Sequence, residues 1–409
     1  MLYMSRKNPQ PRSYRIVGPQ ARVDERETPH PRVQRGELGE RLRLWRLQRA
    51  GNDPFRRIFG GGGAEADPKN CLQSIMAKVP EGKVNPNPLP VDDPVKMAKD
   101  IKEVARFLGA TVVGITYLDQ AYVYSHRARG IESMGQKAGE TIDLPHRYAI
   151  CMGFASDYKK FLSNNSRISD ADYGLGNNHT IPTTFMLAAY IREMGYPARA
   201  HHYGRGEVNH MPLAVNAGLG ELGRHGMLIH EEYGSRLHLA TVTTDLPLAV
   251  DKPVDIGVEE VCKYCMKCAR TCPSHSISFG GKEVHNGVER YRINVDTCYK
   301  YRPASRGEWH NCVICVSTCC YNKPNTWWHT LATKSIKWTP IPLRAFVIVP
   351  LLWLDDLIWG KRPWQHMKWL SYDNKPKPMV CTIPGCQAKH KNLIHKRLHD
   401  PVPETRAAG

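Results

Sequence analysis

The chain has no long apolar run. Its longest, "AFVIVPLLWL" at 345–354, is broken by Pro350 and stops at Asp355-Asp356, well short of the ~20 apolar residues a membrane-spanning helix needs. It reads as a buried segment or at most a contact with a membrane surface. Nor does "MLYMSRKNPQPRSYRIV" contain an apolar core of signal length, so no secretory leader is expected. The twin arginines of "PFRRIFGGGGAEADP" are followed by glycines and acids, not by the apolar stretch of an export signal. The expected location is cytoplasmic, at most peripheral to a membrane. Acidic residues are scarce as well: 39 Asp and Glu stand against 57 Lys and Arg, for a formal charge of +18. Residues 1–60 carry 14 of those bases and only 6 of the acids. With its Pro, Arg and Gln content, 1–70 is expected to be a basic, largely disordered extension. It contains one short amphipathic helix in "ELGERLRLWRLQRA". A basic arm of this kind suits an anionic membrane surface, nucleic acid or an acidic redox partner.

A disulfide framework is missing too. The 13 cysteines are an odd number, and most fall in two tight groups, which favours a reducing compartment. "VCKYCMKCARTCPSHSI" at 261–277 reads C-x2-C-x2-C-x3-C-P, from Cys262 through Cys265, Cys268 and Cys272 to Pro273. In bacterial ferredoxins this spacing wraps a loop around a [4Fe–4S] cube, and the fourth thiolate reaches a second cube. A second set is therefore required downstream. Cys298 followed by "CVICVSTCC" supplies it, with Cys312, Cys315 and Cys319. The sets divide crosswise, Cys262, Cys265, Cys268 and Cys319 for one cluster and Cys272, Cys298, Cys312 and Cys315 for the other. Structural zinc is the simpler reading of any C-x-x-C pair, but it gives no reason for a further cysteine three residues on, twice. Cys320 stands where the pattern has proline and reads as a spare thiol. Cys71, Cys151, Cys381 and Cys386 have no assigned role.

From about residue 92 helix and strand patterns alternate. "DDPVKMAKDIKEVARFLGA" places Val95, Met97, Ile101, Val104, Ala105 and Leu108 on one helical face, with Asp92 or Asp93 as cap. "TVVGITYL", "YAICMGFA" and "LHLATVTTDLPL" read as strands. "TTFMLAAYIREMGY" reads as a helix closed by Gly195. Between the cysteine sets, Asn286-Gly287 marks the turn of a β-ribbon. The expected organisation is a basic extension over 1–70, an α/β core over 71–250, a ferredoxin-type domain over 251–330, and a C-terminal segment with a basic tail over 331–409.

A bare two-cluster ferredoxin is far shorter than this chain, so a second cofactor or a substrate site is expected. "AVNAGLGELGRHGMLIHEEYGSRLHLATVTTDLPLAVDKPVDIGV", running straight into the first cysteine loop, decides which. With "LAAYIREMGYPARA", "CCYNKP", "WWH" and "WLDDLIWGK", it resembles the corrinoid-dependent reductive dehalogenases from about residue 90 to 375. The resemblance implies a nitroreductase-like α/β core holding cobalamin, with a two-[4Fe–4S] ferredoxin-like domain behind it in the chain. Electrons would pass through the clusters to the corrinoid, and an organohalide would exchange halogen for hydrogen. The implied partners are a small organohalide and an electron donor such as a ferredoxin, a flavodoxin or a quinol-linked carrier; nucleic acid is not expected. Gly218, Gly220, Gly223 and Gly226, with Arg224, are the expected corrinoid-binding turn, where missing side chains let backbone approach a large ligand. "GLGELG" matches a dinucleotide loop by letter only, lacking the βαβ context.

The family's proton-donating tyrosine precedes the helix matched by "TTFMLAAYIREMGY". A gapless count lands on Asn177, Tyr173 lies four residues earlier, and His179 is an alternative acid. The polarising residue falls in "HHYGRGE", with Tyr203 and Arg205 as candidates. An arginine expected after "EYG" finds Arg236, with His238 at the gapless position. Two other readings stand beside this one. An epoxyqueuosine reductase, a tRNA-modifying enzyme, also joins cobalamin to two clusters, but no D-T-x-P segment is present. The other is a non-catalytic iron–sulfur electron carrier.

Overall fold

Four segments rich in β-branched residues pair into one sheet: β1 (Val112–Tyr117), β2 (Tyr148–Ala155), β3 (Ala198–His201) and β4 (Leu237–Thr244), in the order β1-β2-β4-β3. Every pairing is antiparallel, with Ile150 opposite both Ile115 and Val242. The computed structural model describes residues 2–3, 9–40, 42–43, 80–130, 135–162, 167–202, 206–301 and 312–359. Both sheet faces are covered, which explains why "YAICMGFA" is apolar almost throughout and not alternating. On one face Ile115, Ile150, Met152, Ala240 and Val242 meet Ile101 and Ala105 of helix α1 (Pro94–Phe107). The same face meets Leu187, Ala188 and Ile191 of helix α2 (Arg167–Glu193). On the other, Ala149 and Cys151 meet Leu213, Ala214 and Val215. Each fully buried aliphatic side chain of this kind contributes about 1.5–3 kcal/mol. The layered α/β core expected from the alternation is present, with antiparallel strands.

Local chemistry sets the boundaries. Asp93 caps α1 by accepting from the amides of Val95 and Lys96, and Pro94 occupies the first turn, where its missing N–H costs nothing. Val95, expected on the buried face, is exposed instead; Ala98 takes that place because it, not Val95, lies one turn before Ile101 and Ala105. Helix α2 begins well before the expected Thr183. Gly174, Gly176 and Pro182 hide its earlier part from a propensity reading. Threonine hydroxyls of 180, 183 and 184 bond back to carbonyls three or four residues earlier around the proline.

The N-terminal extension departs from expectation. Residues 9–40 are folded across the molecule, although their composition reads as disorder. Tyr14 is buried, bonded to Asn216 at 3.0 Å, and Ser13 accepts from Leu222 N–H. Arg15–Ile16 adds a strand to the ribbon 283–290, whose Asn286 and Gly287 take the positive φ values that the turn needs. Here basic residues are consumed by carboxylates of this same chain: Arg12 pairs with Asp255 and Glu260, and Arg32 with Asp296. Most of "ELGERLRLWRLQRA" lies outside the described residues, as do Cys71, Cys381 and Cys386.

After the cysteine loops, helices α5 (Trp327–Trp338) and α6 (Arg344–Trp359) pack back on the loop helices α3 (Val258–Cys265) and α4 (Lys267–Thr271). The apolar run 345–354 is half buried: Ile348 faces inward while Phe346 and Trp353 face outward. Among the described residues no helix is long and apolar enough to cross a membrane. Helix α6 is tied down by charge. Asp355 pairs with both Lys267 and Lys323, and Asp356 with Lys267 at 2.7 Å. Both lysines are about 2% exposed or less. Removing one partner of a buried pair strands its mate and typically costs about 3–5 kcal/mol. Asp355→Ala, which leaves Lys323 without its described carboxylate, is expected to lose stability in that range. The measurement is anaerobic urea unfolding, and a loss below about 1 kcal/mol, as for an exposed pair, would contradict the assignment.

Candidate active site and cysteine centres

Tight spacing within each cysteine loop and two helix turns bring the eight predicted thiols into two adjoining groups. Cys315 lies among Cys312, Cys298, Cys272 and Cys268. Cys262 lies near Cys268 and Cys265, and Cys265, Cys319 and Cys320 pack in one cluster. Cys268 stands close to thiols of both sets. Burial pushes Cys262 and Cys315 up, and Cys268 to about 12. Opposing this, backbone N–H groups point at the sulfurs: Arg224 at Cys262 (3.4 Å), Ser276 at Cys272 (3.3 Å), Lys267 at Cys265 and Ala269 at Cys268. Donors aimed at sulfur are what a buried, metal-bound thiolate requires. Among the described residues no three His, Cys, Asp or Glu side chains converge on one ion. Cys298, Cys312 and Cys315 are partly exposed, whereas Cys265, Cys268 and Cys319 are buried.

The glycine-rich turn holds this assembly. A Cβ on Gly218 would meet the Lys252 carbonyl at 2.5 Å, and one on Gly220 the Ile229 carbonyl at 2.2 Å. Gly223 would meet Ile229 and Gly226 would meet Ile293, each at 2.6 Å. The missing side chains make room for this chain itself, and Gly218, Gly220 and Gly226 take positive φ. The N–H groups of Gly218, Gly223 and Gly226 bond to carbonyls of the same segment. On the side where a Cβ would stand, these glycines pack against the chain itself. Arg224 is engaged within the chain as well. Its guanidinium donates to the carbonyls of Cys262, Ser278 and Gly280 and stacks 3.9 Å over Tyr291. Glu221, which sequence reasoning missed, accepts from the N–H groups of Ile256 and Val258 at the start of α3.

A second constellation lies where α2 crosses β4. Tyr173, Gly176, Asn177 and Thr180 share one helical face at i, i+3, i+4 and i+7. Gly176 is required there, since its Cβ would fall 2.4 Å from the His238 ring. His238 Nδ1 is 2.8 Å from Asn177 Oδ1 and its Nε2 3.0 Å from Ser156 Oγ. With the amide oxygen as acceptor, Nδ1 carries the proton and Nε2 accepts from the serine hydroxyl. Tyr173 meets the same imidazole edge-on, ring centroids 5.0 Å apart. Burial pulls His238 down to about 4, with His179 as a lesser cause, so it is neutral at pH 7. Among the described residues two buried atoms beside it have no partner, Asn177 Nδ2 and Asp172 Oδ2. Burial also raises Asp172, against an interaction with Ser156, whose single hydroxyl proton is shared between Asp172 and His238. His179 is exposed on the rim. Arg236 is buried between Tyr158 and Tyr233, each ring 5.6 Å away, and donates to Asn322 Oδ1 at 3.2 Å, three residues beyond Cys319. Tyr203 and Arg205 lie outside the described residues. The i, i+3, i+4 stripe was the available signal for this site, and the glycines at 174 and 176 masked it.

The chain resembles known proteins in sequence and fold. Tetrachloroethene reductive dehalogenase of Sulfurospirillum multivorans is 29% identical over 296 residues, covering 65% of this chain and 57% of that protein. The enzyme of the same name from Dehalobacter restrictus is 31% identical over 289 residues, 60% of this chain and 51% of the relative. The solved catabolic reductive dehalogenase NpRdhA superposes with a TM-score of 0.76 at 27% identity, over 91% of this chain and 52% of that one. The chain is related to the reductive dehalogenases. It spans about half the length of the dehalogenases it matches. Epoxyqueuosine reductase of Escherichia coli is 31% identical over 125 residues, only 27% of this chain and 29% of that enzyme. No protein-family model matches.

His210, His225 and His238 are each pulled down to about 4 by burial. Unfolding returns each to about 6.5, so the unfolded chain binds more protons between those values and stability falls as pH drops from about 6.5 to 4. Anaerobic urea midpoints measured from pH 7 to 5 should fall. In His238→Gln the slope should be shallower by up to one proton; an unchanged slope would refute a buried neutral imidazole.

Proposed function

We propose that the chain carries the catalytic part of a reductive dehalogenase. In this reading 71–250 is a nitroreductase-like core, 251–330 a ferredoxin-type domain and 331–409 a segment packed behind them. Cys262, Cys265, Cys268 and Cys319 hold one [4Fe–4S] cluster, and Cys272, Cys298, Cys312 and Cys315 hold the other. The observation that carries this reading is the gathering of the thiols of both loops side by side, with backbone N–H groups directed at several of their sulfurs. Relatedness to dehalogenases across both halves of the chain supports it. So does a solved dehalogenase, matching with a TM-score of 0.76, that is described as B12-dependent.

For the corrinoid, the residues that fit are those at the α2–β4 crossing. The partnerless amide of Asn177 and carboxyl oxygen of Asp172 match the hydrogen-bonding amides on a corrin rim. Bound there, the clusters and the corrinoid supply the one-electron chemistry and the cleavage of the carbon–halogen bond. The balance is an organohalide, two electrons and one proton giving the hydrogen-substituted product and a halide ion. The chain's own residues handle the rest. Tyr173 holds the proton at its phenolic oxygen. His238, neutral and fixed by Ser156 and Asn177, orients the tyrosine ring without offering a competing charge. Arg236 places a buried cation beside the site. The partly exposed second thiol group faces the electron donor, a ferredoxin, flavodoxin or quinol-linked carrier. NpRdhA has been solved with 3-bromo-4-hydroxybenzoic acid, so a brominated phenol is the natural first substrate.

Anaerobically purified protein should contain about eight iron atoms and one cobalt per chain, and the reduced holoenzyme should release bromide from that acid. Tyr173→Phe should lower kcat by about 10²–10⁴-fold with cofactor content unchanged. Iron without any uptake of corrinoid would overturn the dehalogenase reading in favour of an electron carrier.

A further inference from the structure

The proline that ends the usual ferredoxin loop is replaced here by Cys320, next to the expected ligand Cys319. This added thiol does not point away from the first cysteine group. Cys319 is buried with Cys265, and Cys262 and Cys320 pack against the same apolar cluster, formed with Ile229, Val261, Tyr321 and Ile348. With Cys268, which lies near Cys262 and Cys265, five thiols are gathered where a cube takes four ligands. The backbone holds both neighbours in position. Asn322 N–H donates to the Cys319 carbonyl at 2.9 Å, His329 Nε2 lies 3.3 Å from the Cys320 carbonyl, and the Tyr321 hydroxyl donates to Ile256.

We propose that Cys319 and Cys320 are interchangeable fourth ligands of the first cluster. Either sulfur binds iron, and the other remains a thiol that donates to a bound sulfur. This rests on the two-cluster reading above. Adjacent residues in an ordinary strand point to opposite faces, and a loop with proline at this position has no second sulfur to offer. Here both cysteines pack in one cluster with Cys265, so exchange requires a local rotation and no refolding. A three-iron cluster, the usual result of losing one ligand, is thereby avoided.

Iron content and electron paramagnetic resonance of the anaerobically reconstituted full chain test this. Wild type with far fewer than about eight irons would overturn the two-cluster reading and this proposal with it. Given a loaded wild type, Cys319→Ala and Cys320→Ala should each keep its iron count and its reduced-state spectrum. The double variant should lose about one iron per chain and show the oxidised-state signal of a three-iron cluster. A three-iron signal in Cys319→Ala alone, or a fully loaded double variant, would overturn the proposal while leaving the two-cluster reading intact. Should the alanine variant fail to fold, near-isosteric Cys319→Ser replaces it. A spectrum and midpoint potential like wild type are expected, and a three-iron or oxygen-ligated signal would overturn the exchange.

Discussion

Glu221 and Arg224, one helical turn apart in a segment that is not helical, hold the cysteine loops to the sheet domain. The glycines around them permit that conformation. Gly218, Gly220 and Gly226 adopt positive φ, and each has this chain's own atoms where a side chain would stand. The bracket grips both ends of the first loop helix. One carboxylate oxygen of Glu221 takes two N–H groups at its N-terminus, where the helix dipole favours negative charge. Burial nonetheless pushes Glu221 to about 7. Arg224 takes the Cys262 carbonyl and two carbonyls beyond the loop, while its own N–H points at the Cys262 sulfur. One short segment thus sets both the position of a thiol group and part of its electrostatics.

The rest of the molecule reinforces that join. Arg12 from the extension and Arg344 from the start of α6 both pair with Asp255 and Glu260. Two cations and two anions from three parts of the chain meet beside the N-terminus of α3. The network binds mainly through geometry. Arg344 is nearly buried and cannot leave its carboxylates without stranding charge, whereas Arg12 is about a third exposed and screened. Tyr14 then carries the same extension into the core beneath the sheet. Arg12, Arg15 and Arg32 of the extension thus meet carboxylates elsewhere in this chain.

What could be read from the sequence follows from how local each determinant is. Cysteine spacing, the Asp93 cap, the Asn286-Gly287 turn and the strand 148–155 are encoded within a few residues, and each stands where the pattern put it. The folding of the extension was not legible, because the partners of Arg12, Arg32 and Tyr14 lie more than 200 residues away. Composition sees a charged arm and cannot see the carboxylates that meet it. The Tyr173–Asn177 face of α2 was hidden by glycines and a proline that lower helix propensity. Gly176 is there because the imidazole of His238 takes the space of its side chain, a constraint from another element entirely.

Charge balance explains why Arg236 and His238, two residues apart on the same strand edge, are held so differently. The lysine pair at 267 and 323 meets two carboxylates and is neutral as a group. Arg236 instead has carbonyl and amide oxygens and two tyrosine faces as its direct contacts, with Glu232 and Asp157 acting on it only through space. Burial lowers its affinity for a proton, but a guanidinium stays charged at any working pH. In the proposed reaction a halide ion is formed from a neutral bond, and a fixed cation in a low-dielectric setting stabilises that anion as it develops. A protonated His238 would double the charge and bind halide too firmly to release it. Its burial between Ser156 and Asn177 keeps the imidazole neutral and confines the positive charge to one position, on the side that leads through Asn322 to the first thiol group.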